Sequence, residues 1–152
     1  MIAVAVATAC AGVNTTGSAP RRSAQLPRTR AERSSYLETS TYADVVAFLD
    51  SLDQAGHWLA LGTLGRSSEG RAIPLVIASR PLVRTPDEAR RLGRPIVYVQ
   101  ANIHAGEVEG KDALLALLRD LVAEPVPNVL DSIVLVAVPI STPTATSVSR
   151  RS

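Results

Sequence analysis

In the stretch "NIHAGEVEGKDALLALL", residues 102–118, His104 and Glu107 stand three residues apart where an apolar run gives way to a helical pattern. An imidazole and a carboxylate at this spacing across a strand-to-helix turn can converge on one ion, and zinc accepts both at about 2 Å. A catalytic zinc keeps three protein ligands and one water, so a third ligand has to come from elsewhere. The spacing alone leaves a second reading open, in which Glu107 complements the dipole of a helix start and His104 donates to a loop carbonyl. Glu109 and Lys111 are of the types that serve as acid and base, but the first turn of a helix favours solvated or capping roles for both. No histidine follows Glu107, and no acidic residue follows Asp131. His57, the only other histidine, falls at a helix-to-strand turn and reads as a surface or structural residue.

The flanking elements must set this pair in place. "PIVYVQAN", residues 95–102, is a continuous apolar run, as expected of a strand covered on both faces. From Glu107 or Val108 to about Val122, the spacing of Ala113, Leu114, Leu117, Leu118 and Leu121 predicts an amphipathic helix. "PVPNVLD" breaks it, and "SIVLVAVPI" reads as a second buried strand. Strand, helix and strand in this order make a parallel crossover, right-handed by the general rule. Ligands of open parallel sheets gather beyond the carboxyl ends of the strands, where His104 and Glu107 fall.

Upstream, "TYADVVAFLDSLDQAG" carries a one-sided stripe of Val45, Val46, Phe48, Leu49 and Leu52 that predicts a helix, with Asp44 in its first turn and Gly56 at its close. "HWLALGTLG" and "AIPLVIAS" are β-prone runs separated by "RSSEGR", which predicts a hairpin turning at Gly70. "TPDEARRLG" predicts a short helix with Thr85 as N-cap, Pro86 at the first position, Glu88 completing a capping box and Gly93 at the end. The class is α/β, with an antiparallel hairpin followed by a parallel β-α-β crossover in one mixed sheet with flanking helices.

Composition excludes several functions. The 152 residues are 46% hydrophobic and 20% charged, enough apolar matter for one core. A formal charge of +2, with basic residues scattered and no aromatic interleaving, argues against a nucleic-acid partner. Lys111 is the only lysine among 16 basic residues, the bias of a GC-rich gene. Cys10 is the only cysteine, so an internal disulfide and a cysteine zinc cluster are both impossible and any metal must use His and carboxylate. No apolar segment is long enough to span a membrane. Met1–Gly12 is apolar and ends in a small-residue pattern, Ala7-Thr8-Ala9, like that of a secretory signal. Export, to the periplasm, to the medium or to a lipid anchor on Cys10, is the expectation. Residues 13–35 hold two prolines and five arginines with no period, and read as a polar linker.

Two stretches together resemble the N-terminal part of the zinc carboxypeptidase family of carboxypeptidase A and B type. "GTLGRSSEGRAIPLVIAS", residues 62–79, matches its hairpin turn at Gly65, Ser67, Glu69, Gly70 and Arg71. "PIVYVQANIHAGEVEGKDALLALLRDL", residues 95–121, matches its H-x-x-E metal pair at His104 and Glu107. The resemblance covers about residues 36–140 and implies a partial catalytic domain of a zinc peptidase that cleaves the amide bond next to a free carboxylate. It further implies a third zinc ligand, a general-base Glu and a carboxylate-binding Arg, all downstream and none of them placeable in this chain. Many family members carry Arg between the two ligands, where this chain has Ala105-Gly106, a departure that bears on substrate contacts near the metal. Two alternatives stay open. One is an amide hydrolase of the aspartoacylase or succinylglutamate-desuccinylase type, which shares the pair; the other is a non-catalytic fragment or binding module.

Residues 141–152, "STPTATSVSRRS", lack any apolar period. Relatives of this type continue after the second strand into something like Tyr-Asn-Pro-Asp-Gly-Asn-Glu-Arg-Val. Written as TAC AAC CCC GAC GGC AAC GAG CGT GTC and stripped of the A in its first codon, that segment translates as Ser-Thr-Pro-Thr-Ala-Thr-Ser-Val-Ser, the letters of residues 141–149. The expectation is a single-base frameshift after Ile140, an aberrant tail from 141 to 152, and a truncated, inactive and poorly soluble product.

Overall fold

The computed structural model describes residues 26–56, 58–104, 106–123 and 127–142. The readings placed on Met1–Gly12 with Cys10, on His57, on Ala105 and on residues 143–152 fall outside these.

Four strands form one sheet in the order β1-β2-β4-β3, with β1 Leu59–Arg66, β2 Ala72–Ala78, β3 Ile96–Gln100 and β4 Val134–Val138. β1 and β2 are the expected antiparallel hairpin. Its turn closes through Ser67 N–H donating to Arg71 O (2.8 Å) and Gly70 N–H to Ser67 O (2.9 Å). Gly70 sits at φ 77°, a conformation that suits a residue without Cβ. β4 pairs antiparallel with β2 and parallel with β3, so the crossover from β3 through helix α4, Glu109–Ala123, places β4 between the hairpin and β3.

The pleat divides the sheet's side chains between two clusters. Val76, Ala78, Leu135 and Ala137 face α2, Tyr42–Ala55, and α4, meeting Val45, Phe48, Leu49 and Leu52 of one helix and Leu114, Leu115, Leu118 and Leu121 of the other. On the opposite face Ile77, Val134 and Val136 meet Val83 and the helix α3, Pro86–Leu92, through Ala89 and Leu92. α3 has the predicted ends: a Thr85–Glu88 capping box, Pro86 in the first turn and Gly93 at φ 67°. Thr41 and Asp44 form an equivalent box on α2.

α2 and α4 lie side by side and run the same way. At their C-terminal ends a Cβ on Gly56 would come within 2.5 Å of Val122 Cγ1, so glycine permits this approach. At their N-terminal ends the Asp112 carboxylate accepts from Thr39 Oγ1 (2.6 Å) and Ser40 Oγ (2.5 Å). The carboxyl ends of β3 and β4, the hairpin turn and the turn before α2 therefore share one end of the molecule, and Tyr42 Oη fastens α2 to the hairpin by donating to Ala72 O (2.9 Å).

Three expectations are corrected. β3 is not covered on both faces: among the described residues it is an edge strand, and Ile96, Val97 and Tyr98 are 54%, 39% and 52% exposed. β4 alone fits the doubly covered pattern. Within the segment read as a linker, Arg30–Arg33 form a helical turn, α1, capped by Thr29 and Glu32 and tied to α4 by Arg119 Nη1 donating to the Glu32 carboxylate (2.7 and 2.8 Å). One helical turn is too short to display a period. Lys111 is not solvated; it is fully buried. Its spacing to Leu114, Leu115 and Leu118 puts it on the apolar stripe of α4, where a long side chain is covered whatever its head group.

Candidate metal centre

The loop from Ala101 to Val108 is anchored at both ends. Ala101 N–H donates to Val138 O (2.9 Å), while Ser141 N–H (3.2 Å) and Ser141 Oγ (2.8 Å) donate back to Ala101 O, which extends the β3–β4 pairing past the strands. Thr142 Oγ1 donates to Ile103 O (2.7 Å). Asn102 then turns the chain: it is buried, stands at φ 51°, and its Nδ2 donates to His104 O (3.0 Å) and Glu107 O (3.4 Å). Asparagine tolerates the left-handed region better than other residues with a Cβ, and its amide ties the loop's two ends together. Reading the sequence as one apolar run into Asn102 missed this organising residue. An Asn between a β-prone run and a helix was the available signal.

Glu107 N–H donates to His104 O (3.1 Å), closing a turn that turns both side chains to the same side. His104 Nδ1 lies 2.8 Å from Glu107 Oε1, and His104 N–H donates to Glu107 Oε2 (3.4 Å). Both side chains are exposed, at 77% and 60%. Hydrogen bonds from the His104 side chain and then its backbone N–H hold the Glu107 carboxyl below its ordinary range. The pair joined by inspection of the sequence is thus joined in space.

The donor set fits zinc. Two ligands about 2 Å from a tetrahedral ion stand about 3.3 Å apart, so the pair needs to open by only about half an ångström to admit it. No group of three or more His, Cys, Asp or Glu able to hold a metal occurs among the described residues. α4 begins at Glu109, so Glu107 lies in the turn before the helix. Glu109 is exposed, as its place in the first turn suggested. Lys111 points into the core instead, where burial pushes its amine below the ordinary lysine range and the Asp112 and Asp44 carboxylates oppose that shift.

Arg71 and Glu69 stand together at the same end of the molecule, Arg71 Nη2 lying 3.2 Å from Glu69 Oε2. The Arg71 guanidinium also lies over the Tyr42 ring, 5.9 Å from its centroid. The hairpin turn is therefore braced against α2, which gives its Glu and Arg a structural use.

A zinc carboxypeptidase family model matches residues 45–143. No curated protein sequence matches the chain. Among solved structures, carboxypeptidase A from Helicoverpa armigera is 23% identical with a TM-score of 0.57, over 70% of this chain and 25% of that one. A metallo-carboxypeptidase from Burkholderia cenocepacia is 21% identical with a TM-score of 0.56, over 70% and 28%. Bovine thrombin-activatable fibrinolysis inhibitor, solved with a tick carboxypeptidase inhibitor, is 11% identical with a TM-score of 0.58, over 71% and 32%. The chain thus spans about a quarter to a third of the length of these structures.

Proposed function

The chain belongs to the zinc carboxypeptidase family, and on that premise we propose that His104 and Glu107 are two zinc ligands of a metallocarboxypeptidase-type peptidase. The substrate class is a peptide or amide with a free carboxylate beside the bond that is cut. The observation that carries the reading is the convergence of His104 Nδ1 and Glu107 Oε1 to 2.8 Å at the carboxyl end of the parallel strand pair. Bound there, zinc would polarise the scissile carbonyl and lower the pKa of a water. What these residues contribute is position. Asn102 fixes the loop, the Glu107 carboxyl is held in the ionised form that a cation requires, and the turn at His104–Glu107 keeps both donors on one side.

A third ligand, a general base and a group for the substrate carboxylate complete such a site. The reading assigns them to polypeptide outside the described residues. The apolar start Met1–Gly12 supports export as part of the same reading. On this account the 152-residue chain by itself binds zinc weakly and does not hydrolyse a C-terminal-residue reporter peptide. Chelator-sensitive hydrolysis by the purified chain, lost in His104→Ala, would show that its site is complete and overturn that part of the reading.

A further inference from the structure

The two candidate ligands share one hydrogen-bond donor on their backbones. Asn102 Nδ2 lies 3.0 Å from His104 O and 3.4 Å from Glu107 O, and Glu107 N–H closes the turn onto His104 O (3.1 Å). Asn102 is 2% exposed, whereas the His104 and Glu107 side chains are among the exposed ones of the loop. The loop thus directs these two carbonyls at a buried group and leaves the imidazole and the carboxylate in solvent. A carbonyl oxygen only accepts, so the group between the two must be an N–H donor, and an aspartate would set a further acceptor there. The backbone makes a second demand. Asn102 stands at φ 51°, a region that glycine, asparagine and aspartate enter most readily. Of these three, only asparagine carries a side-chain donor. The segment after β4 adds a second hold: Thr142 Oγ1 donates to Ile103 O (2.7 Å) and Ser141 Oγ to Ala101 O (2.8 Å), the carbonyls on either side of Asn102.

We infer that Asn102 is the positioning residue of the metal pair: its carboxamide sets the two donors side by side without itself being a ligand, and Thr142 supports it through the carbonyl of Ile103. The inference rests on the reading of His104 and Glu107 as zinc ligands and adds to it the residues that hold them. With His104 O and Glu107 O tied to one group, the backbones of the two ligand residues are fixed relative to each other. Side-chain rotation is then what opens the 2.8 Å contact between His104 Nδ1 and Glu107 Oε1 for an ion. A loop ordered in advance loses less freedom when the ion binds, so the buried amide acts on affinity from outside the coordination shell.

The test follows zinc titration of the full chain on its imidazole resonances; the chain has two histidines, and His104→Ala identifies the signal. Hydrogen exchange at the Glu107 amide in the zinc-free chain supplies a readout that needs no metal. Asn102→Asp keeps the size and the left-handed backbone but loses the donor, and Asn102→Gly keeps the backbone alone. Each should weaken zinc binding by about 10–100-fold and speed Glu107 exchange, with circular dichroism unchanged. Thr142→Val should weaken binding less, and Thr142→Ser, which keeps the hydroxyl, should bind as the unsubstituted chain does. An Asn102→Gly chain with the zinc affinity and the Glu107 exchange of the unsubstituted chain overturns the inference, even where Asn102→Asp fails to fold. A His104 signal in the unsubstituted chain that ignores zinc overturns the ligand reading instead. Glu107 exchange then still decides for Asn102: faster exchange in Asn102→Gly keeps it as the residue that sets the turn, and unchanged exchange removes it.

Discussion

β3 and β4 look alike as sequence, "IVYVQ" beside "VLVAV", and they pair in parallel with Val97 opposite Leu135. Their surroundings differ. β4 has a strand on each side and helices over both faces, and four of its five residues are buried. Among the described residues β3 has β4 on one side only, and four of its five residues are exposed. An apolar run therefore reports how much cover a strand calls for, while the number of neighbours decides how much it receives. Among the described residues β3 thus combines the composition of an interior strand with the exposure of an edge.

The sharpest way to break this comparison is a matched pair of truncations across one register position. Leu135→Ala should cost about 2–5 kcal/mol in urea unfolding, while Val97→Ala should cost about 0.5 kcal/mol or less. Equal losses would mean that β3 is covered in solution. Next in size is association. The open edge of β3 and its exposed Ile96 and Tyr98 make it a pairing site, so Tyr98→Lys should lower concentration-dependent light scattering several-fold. A lysine at the buried Leu135 of β4, Leu135→Lys, should lower folded yield instead. The smallest effect sharpens the contrast from the far side of α4. Burial works against the Glu32 carboxylate, but its bonds from Arg119 and Thr29 win, and its pKa lies below the ordinary value. Arg119→Ala should therefore cost about 1–3 kcal/mol at neutral pH. The sign is that of a lowered carboxyl: the pair's contribution is present above the ordinary glutamate range and is lost as the pH falls through the folded value. Unfolding curves of the two chains should converge under acid.

What could be read from the sequence was local. Thr85, Pro86, Glu88 and Gly93 each act on their own backbone within one helix, and all four stand where the letters placed them. The His104–Glu107 contact is likewise made inside a single turn. Features set by distant chain were not legible. The exposure of β3 depends on which strands pair beside it, the burial of Lys111 on packing from outside its own helix, and the order of the α1 turn on Arg119 of α4. Asn102 was legible in principle, as a residue suited to the left-handed turn ahead of His104 and Glu107, but it read as the end of a strand.

The central claim is that His104 and Glu107 are metal ligands, and zinc titration of the 152-residue chain beside His104→Ala and Glu107→Ala tests it most directly. The account predicts weak binding of one zinc per chain that either substitution abolishes while the fold, read by circular dichroism, is unchanged. Zinc binding that both variants retain would contradict it.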